Sequence, residues 1–285
     1  MPFFNRIAIL GPGLLGASLG MAIRKREISK SIRVWARKQS SLQKCKEEVW
    51  CDEISSSLEE AVNACDLVVV CTPIKHIEET LRKIIPKCPE DTIITDVGSV
   101  KGSICKVAKE SSSRKGTCFI GSHPMAGSEK SGMENANAEL FENRTCMITP
   151  YPEDSIVQIE KLESFWRLLG MQVHRETPKD HDSIVSSISH LPHLIASSLA
   201  DHLASCPASW LEMAGQGFKD TTRIAQGDPA LWCEIMKSNR ENLCDSLDQW
   251  QKSVDEVRSL LHAEKWDNLT QYLSGAADHR KKIKS

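Results

Sequence analysis

The chain has 285 residues, 40% of them hydrophobic and 26% charged, with a formal net charge of −2. That length accommodates two domains of roughly 100–200 residues each, and the composition is that of a globular enzyme. The balanced charge leaves no basic footprint for nucleic acid or an anionic membrane, and no apolar run approaches the ~20 residues that span a bilayer.

The start, MPFFNRIAIL, passes directly into a strand and a glycine loop, leaving no room for a signal peptide. Residues 7–10 read as a buried parallel strand and 14–26 as a helix, with Leu14, Leu15, Leu19 and Ile23 close to helical spacing. Residues 31–36 give a second strand. Residues 66–71 form a strand stopped by Thr72-Pro73, and a helix over 76–85 ends at Pro86. A strand over 92–97 leads through Gly98-Ser99 to a helix over 101–111. Further strands are expected at 118–121, 145–149 and 171–175, with a helix over 155–169 ending at Gly170.

Strand–helix alternation on this spacing predicts an α/β fold, a doubly wound and mostly parallel Rossmann-type sheet with its loops gathered along one edge. After about residue 176 the strand pattern stops. Residues 179–205 form one long helical pattern interrupted only by Pro192, and 229–261 and 263–274 are again helical in period. The expected organisation is a dinucleotide-binding domain over 1–176 and an all-α domain over 177–285, with a frayed basic tail, HRKKIKS.

Eleven cysteines, none spaced as C-x-x-C, exclude a zinc ribbon or a thioredoxin-like pair. Cys65, Cys71 and Cys118 sit in or beside apolar runs, where cysteine behaves as a small hydrophobe. This many unpaired thiols point to a reducing compartment, the cytoplasm. The seven tryptophans are dispersed, and core packing is the simplest reading of them.

The run Gly11-Pro12-Gly13-Leu14-Leu15-Gly16 is a G-x-G-x-x-G sequence. Its context gives it weight: it follows an apolar strand and opens a helix within a βαβ unit of about thirty residues. Gly11 serves the turn, Gly13 the approach of a pyrophosphate, and Gly16 the packing of helix on strand. The helix N-terminus, with Leu14 and Leu15 in its first turn, offers N–H groups to phosphates, and Ser18 and Gly20 continue a small face toward the sheet. NAD-specific versions of this unit end the second strand on an acid. Here that end reads Val34-Trp35-Ala36-Arg37-Lys38-Gln39-Ser40, where Arg37, Lys38 and Ser40 suit a 2′-phosphate. The expected cofactor is NADP, with NAD possible.

Three segments follow strand ends: Cys71-Thr72-Pro73, Asp96 to Lys101, and Gly121 to Gly132. Thr72 and Pro73 are expected against the cofactor. The third segment holds His123 between strand and loop, a natural proton acceptor near neutral pH. In the helical half, His181-Asp182 and Ser189-His190-Leu191-Pro192-His193 carry further imidazoles. His190 and His193 lack the H-E-x-x-H arrangement and no acid follows them, so no metal site is expected. Arg223, in a loop between helices, reads either as a loop ion pair or as a bidentate carboxylate clamp.

These segments together resemble the prephenate and arogenate dehydrogenases of tyrosine biosynthesis: GPGLLGASLG, CTP, TDVGSVK, GSHPMAGSEKSG, HD with SHLPH, and GFKDTTRIAQGDPALW, in that order over nearly the whole chain. The resemblance implies oxidative decarboxylation. A ring hydroxyl at C4 gives up its proton as hydride leaves C4 for the nicotinamide, and the C1 carboxylate departs as CO₂. It also implies His123 as the group on that hydroxyl, Ser99 beside nicotinamide and hydroxyl, and Arg223 on a substrate carboxylate. His190, His193, Ser128, Glu129 and Lys130 would border the pocket, and the helical domain would form a homodimer. Prephenate is the expected substrate, through His193 in SHLPH, with arogenate as the alternative. With no further βαββαβ-type segment expected, any inhibition by tyrosine would act at the active site. Two rivals remain at this level. A β-hydroxyacid-type dehydrogenase would be expected to use a helical-domain lysine where this chain has histidines and Arg223, and a dinucleotide sensor would turn nothing over.

Overall fold

The computed structural model describes residues 2–112, 118–127 and 130–283. Strand β1 (Phe4–Leu10), helix α1 (Leu14–Lys25) and strand β2 (Ser29–Trp35) form the first crossover, followed by α2 (Gln39–Lys46), β3 (Glu53–Ser55) and α3 (Leu58–Val62). Then come β4 (Leu67–Val70), α4 (Ile74–Ile84), β5 (Ile93–Asp96), α5 (Gly102–Ser111) and β6 (Cys118–Phe119). These six strands form one parallel sheet of order β3-β2-β1-β4-β5-β6, the expected doubly wound Rossmann-type arrangement. The reversal of strand order lies between β1 and β4, so the loops after them open onto one crevice.

Alternation along β1 explains how the sheet is covered on both faces. Ile7 and Ile9 join one apolar cluster with Ala17, Leu19, Phe165 and Trp166, while Ala8 and Leu10 join another with Val68, Val70, Ile77 and Leu81.

The segment expected as one strand over 118–121 divides in two. β6 stays in the main sheet, and β7 (Gly121–Pro124) starts a second sheet with β8 (Thr145–Thr149) and, after α6 (Ile156–Leu168), β9 (Gln172–Arg175). β7 runs antiparallel to β8 and β8 parallel to β9. His123 therefore lies within a buried strand opposite Met147, not between strand and loop as expected. Ser18 and Gly20 also depart from expectation. Ser18 accepts a hydrogen bond from the Asn137 N–H at 2.9 Å, and a Cβ on Gly20 would strike the Trp50 ring at 2.1 Å, so this face meets a loop and a tryptophan.

The helical half comprises α7 (Pro178–Val185), α8 (Leu191–His202), α9 (Ser209–Glu212), α10 (Gln216–Thr222) and α11 (Pro229–Ser238), then α12 (Arg240–His262) and α13 (Trp266–Lys282). By internal contacts the chain forms two units, Met1–Asn239 and Arg240–Ser285. The single helix expected over 179–205 is interrupted by a π-turn at Ser186–His190. Pro192 has no N–H to donate one turn back, and the widened turn absorbs the loss. The pattern expected as one helix over 229–261 breaks at Asn239, and α13 reaches Lys282, so most of the basic tail is helical. Cations in a last turn suit the negative end of the helix dipole. Of the tryptophans only Trp50 and Trp166 are core residues, while Trp210, Trp250 and Trp266 are 52%, 37% and 57% exposed. All eleven cysteines are unpaired, and no helix among the described residues is long and apolar enough to cross a membrane.

Candidate active site

The glycine loop has the shape of a phosphate cradle. Gly11 sits at φ +107° with its Cα against the Cys71 carbonyl, where a Cβ would come within 2.9 Å. A Cβ on Gly16 would lie 2.1 Å from the Gly11 carbonyl oxygen, so only glycine lets α1 start this close to the turn. Gly13 faces open space, with nothing within 4 Å of a Cβ, and caps α1 without any side-chain hydrogen bond. The first N–H groups of α1, at Leu14 and Leu15, thus receive no side-chain cap and are available to an anion beside Gly13. Across the crevice the Thr72 hydroxyl is buried with no partner, and Pro73 caps α4. A buried orphan hydroxyl beside a helix N-terminus that no side chain caps fits a dinucleotide diphosphate.

Past β2, Arg37, Lys38 and Ser40 are exposed at the start of α2. Arg37 donates from Nη1 to His76 Nε2 at 3.2 Å, which aims the guanidinium across the crevice from the first turn of α4. The sequence pattern does not single out His76, whose role depends on two loops meeting in space.

The end of β5 is held by a buried ion pair. Lys101 and Asp96 are both fully buried, and Lys101 Nζ donates to Asp96 Oδ2. The same carboxylate accepts from the Gly98 N–H at 2.8 Å and the Ser122 N–H at 3.2 Å, while Thr95 Oγ1 meets Ser122 Oγ at 2.7 Å. These bonds tie the Gly98-Ser99 turn and β7 to one sheet edge. Ser99 is half-buried on that turn, and His123 directly follows Ser122.

His123 is 7% exposed. Its Nδ1 lies 2.9 Å from His181 Nε2 on α7, and His181 Nδ1 lies 2.8 Å from Asp182 Oδ1. Asp182 also accepts the Lys101 and Gly102 N–H groups at 2.7 and 2.8 Å. Burial, with smaller contributions from His181, Lys101 and His190, holds the His123 imidazolium well below its ordinary 6.5. His181 is also lowered, chiefly by burial and against the pull of Asp182. The Asp182 carboxyl is lowered despite its burial, through its bonds to His181 and to the two backbone N–H groups. At neutral pH the cluster is therefore two neutral imidazoles and one carboxylate.

The π-turn places His190 inward, 1% exposed. Asn239 Nδ2 sits 3.2 Å from its Nδ1 and donates to the Asp182 carbonyl at 2.7 Å. Burial pushes the His190 imidazolium down to about 4. His193, 4% exposed, stacks on Trp232 with ring centroids 3.6 Å apart and 12° between planes. His190 Nε2 and His193 Nδ1 are both buried with no partner. Two orphan imidazole nitrogens on adjacent turns call for a polar ligand.

Arg223 is not in a loop: it begins a 3₁₀ turn, Arg223–Gln226, directly after α10, and is exposed. It makes no ion pair among the described residues. The 3₁₀ turn leads to Gly227, where a Cβ would lie 2.5 Å from Trp232 Nε1 and 3.1 Å from His193 Cε1. That contact brings the Arg223 turn against the His193–Trp232 stack. Lys130 is exposed, and the expected pocket residues Ser128 and Glu129 lie outside the described residues.

Residues 19–175 match the model of the prephenate dehydrogenase nucleotide-binding domain, and residues 177–275 match that of the prephenate dehydrogenase dimerization domain. The chain belongs to the prephenate dehydrogenase family. It is accordingly a nicotinamide-dependent dehydrogenase. A prephenate dehydrogenase of Bacillus subtilis (strain 168) is 31% identical over 281 residues, 97% of this chain and 75% of that protein. The crystal structure of a prephenate dehydrogenase from A. aeolicus in complex with hydroxyphenyl propionate and NAD+ superposes with a TM-score of 0.90, at 29% identity and 98% coverage of each chain. That of Synechocystis arogenate dehydrogenase superposes at 0.85, with 33% identity, 97% of this chain and 99% of that one.

Family members thus act on two related substrates. Sequence reasoning named His123, Ser99, His190, His193, Arg223 and the glycine loop, but gave no role to Asp96, Lys101, His181, Asp182 or Asn239. The HD pair and the DVGSVK segment were visible signals. Their meaning depends on a contact between residues some eighty positions apart, Lys101 with Asp182.

Proposed function

We propose that the protein catalyses the NADP-dependent oxidative decarboxylation of prephenate to 4-hydroxyphenylpyruvate. The observation that carries this reading is the buried neutral His123, whose Nδ1 is engaged by His181, so that Nε2 is the nitrogen to meet a substrate hydroxyl.

The glycine loop and α1 hold the diphosphate, with Leu14, Leu15, Thr72 and Pro73 along it. Arg37 receives the 2′-phosphate, supported by Lys38 and Ser40, and no acid stands there to repel it. The bound nicotinamide supplies a hydride acceptor. His123 Nε2 accepts the C4 hydroxyl proton as C4 loses its hydride, and Ser99 orients that hydroxyl. Arg223 holds the side-chain carboxylate, which leaves the ring carboxylate free to depart. When the C1–CO₂ bond breaks, its electron pair enters the ring and the proton returns from His123 to the phenolic oxygen. No net proton is released. His123 therefore works by polarising the hydroxyl in the transition state, the kind of differential binding that raises turnover.

For the side chain, His190 and His193 offer neutral donors or acceptors, and no carboxylate among these described lining residues would pair with an ammonium. That favours the keto group of prephenate over the alanyl group of arogenate. The second reading, arogenate, is supported by the 33% identity to the Synechocystis arogenate dehydrogenase. A kinetic matrix of prephenate and arogenate against NAD and NADP tests both choices. The reading requires the highest kcat/KM for prephenate with NADP, and it fails if arogenate exceeds prephenate or NAD exceeds NADP.

We also propose a substrate domain from residue 177 onward that pairs two copies of the chain. The family models meet between 175 and 177, and within the first unit the neighbouring Trp210, Leu211 and Met213 are 52–70% exposed, an apolar patch of the kind that marks an interface. Sedimentation at micromolar protein should give a dimer, and a monomer would end this proposal. The unpaired thiols favour the cytoplasm.

A further inference from the structure

The cluster behind His123 fixes which nitrogen carries its proton. Asp182 is ionised and can only accept, so His181 Nδ1, 2.8 Å away, must be the donor. A neutral His181 then presents a bare Nε2. At 2.9 Å from it, His123 Nδ1 must be the donor in turn. That leaves the lone pair of His123 on Nε2, each proton position being forced by the one before it.

Asp182 is itself anchored at the start of α5. It takes the Lys101 and Gly102 N–H groups at 2.7 and 2.8 Å, and a Cβ on Gly102 would lie 2.8 Å from its Oδ2, so glycine there permits the approach. His181 is fully buried and Asp182 6% exposed. The other charged or titratable groups facing the chain are the Asp96–Lys101 pair, which is internally neutralised, His190, and the Cys105 and Cys146 thiols, which burial keeps protonated.

We propose that His181 is a positioning residue that, with Asp182, holds His123 in its Nδ1–H tautomer and takes up its Nδ1 proton transiently during turnover. This rests on the reading of His123 as the group that meets the C4 hydroxyl. As Nε2 of His123 takes the hydroxyl proton, the Nδ1 proton moves toward His181 Nε2, and the positive charge settles beside the Asp182 carboxylate. Return of the proton to the phenolic oxygen reverses both movements. Outside the substrate and the hydride acceptor, one N–H bond forms at His123 Nε2, one breaks at His123 Nδ1 and one forms at His181 Nε2, with the ring double bonds of His123 shifting accordingly, so the protons balance. The arrangement has the logic of an imidazole steered by a buried acid, with a second imidazole inserted between base and carboxylate.

The test is ¹⁵N NMR of the imidazoles in the full-length protein, combined with kinetics of His181→Leu, His181→Gln and His123→Asn. Wild-type His123 should show a protonated Nδ1. In His181→Leu it should shift toward the Nε2–H form, with kcat reduced on the order of 10²-fold and substrate KM within about threefold. His181→Gln, whose amide oxygen can still accept from Nδ1–H, should recover about tenfold of that loss, a recovery that a merely structural role for His181 would not produce. The wild-type spectrum is decisive by itself, since an Nε2–H tautomer there overturns the proposal even if the leucine variant fails to fold. If His123→Asn abolishes turnover while His181→Leu keeps both tautomer and kcat, the relay falls and the base assignment stands. If His123→Asn retains turnover, the base assignment falls and takes the relay with it.

Discussion

The parallel sheet and the helices that follow it are finished to different degrees. Around β1 and α1 the apolar residues on both faces are fully buried, and the buried polar atoms without partners are scattered: Arg24 Nε, Arg26 Nε, Trp50 Nε1 and, beside the glycine loop, the Thr72 hydroxyl. In the helical half two such atoms fall together on adjacent turns. His190 and His193 carry buried nitrogens without partners, and large apolar residues such as Trp210 and Met213 face solvent. The sheet region buries its apolar residues on both faces, whereas the helical half leaves large apolar side chains exposed and holds two unpartnered ring nitrogens inside, which is what the proposed substrate pocket and pairing surface would use.

The largest test of that contrast is His123→Asn. The variant removes the imidazole that sits on β7 and meets His181 of α7. Turnover should fall by roughly 10²–10⁴-fold, while NADP affinity, set by the glycine loop, stays within about twofold. A parallel loss of NADP binding in a titration would mean that the two regions do not divide the work in this way.

Next in size is Arg37→Ala. Loss of a charge-assisted hydrogen bond to a phosphate should raise KM for NADP by about 10–10²-fold and leave KM for NAD nearly unchanged. Equal effects on the two cofactors would remove the 2′-phosphate from Arg37, and His76 would then be only its surface neighbour.

How much could be read beforehand follows the same division. β1, α1, β4 and β5 were legible because local patterns decide them: apolar runs buried on both faces, glycines at fixed offsets, prolines after strand ends. β3 and the short helices α2 and α3 were missed, being too short for a periodicity to develop. His123 was recognised, but not the strand that carries it, because β7 pairs with β8 some twenty-five residues on. The His181–Asp182 cluster lay in plain sight as two letters. Nothing local says that Asp182 will cap α5 from eighty residues away. Pro192 did announce a break in the helix, though not that the break would be a π-turn aiming His190 inward.

Two glycines at the start of α1 separate packing space from ligand space. Gly16→Ala pushes a Cβ to 2.1 Å from the Gly11 carbonyl oxygen, backbone against backbone. It should lower stability by about 1–3 kcal/mol and lower Tm accordingly. Gly13→Ala has nothing within 4 Å to strike, so Tm should hold while cofactor affinity drops, because the added methyl occupies the crevice meant for the diphosphate. A matching fall in Tm for both variants would show that the crevice is ordinary packing space.

The smallest expected effect concerns acid. His123, His181, His190 and His193 are all held below their ordinary 6.5, with burial the leading cause in each, and His190 reaches about 4. The unfolded chain therefore binds protons in this range that the folded chain refuses, so stability rises with pH there. Their contribution is fully present above pH 6.5 and is lost as pH falls toward 4. Asp182 is lowered below its ordinary 3.8, so its own contribution persists through that window and fades only beneath it. The Tm should thus decline by a few degrees between pH 7 and pH 5, with the earliest loss of hydrogen-exchange protection around α7, the π-turn and β7. The first crossover, β1 to β2, carries no histidine at all. If its amides lost protection in step with α7, acid would be unfolding the whole unit at once, and the helical half would not be the less finished of the two.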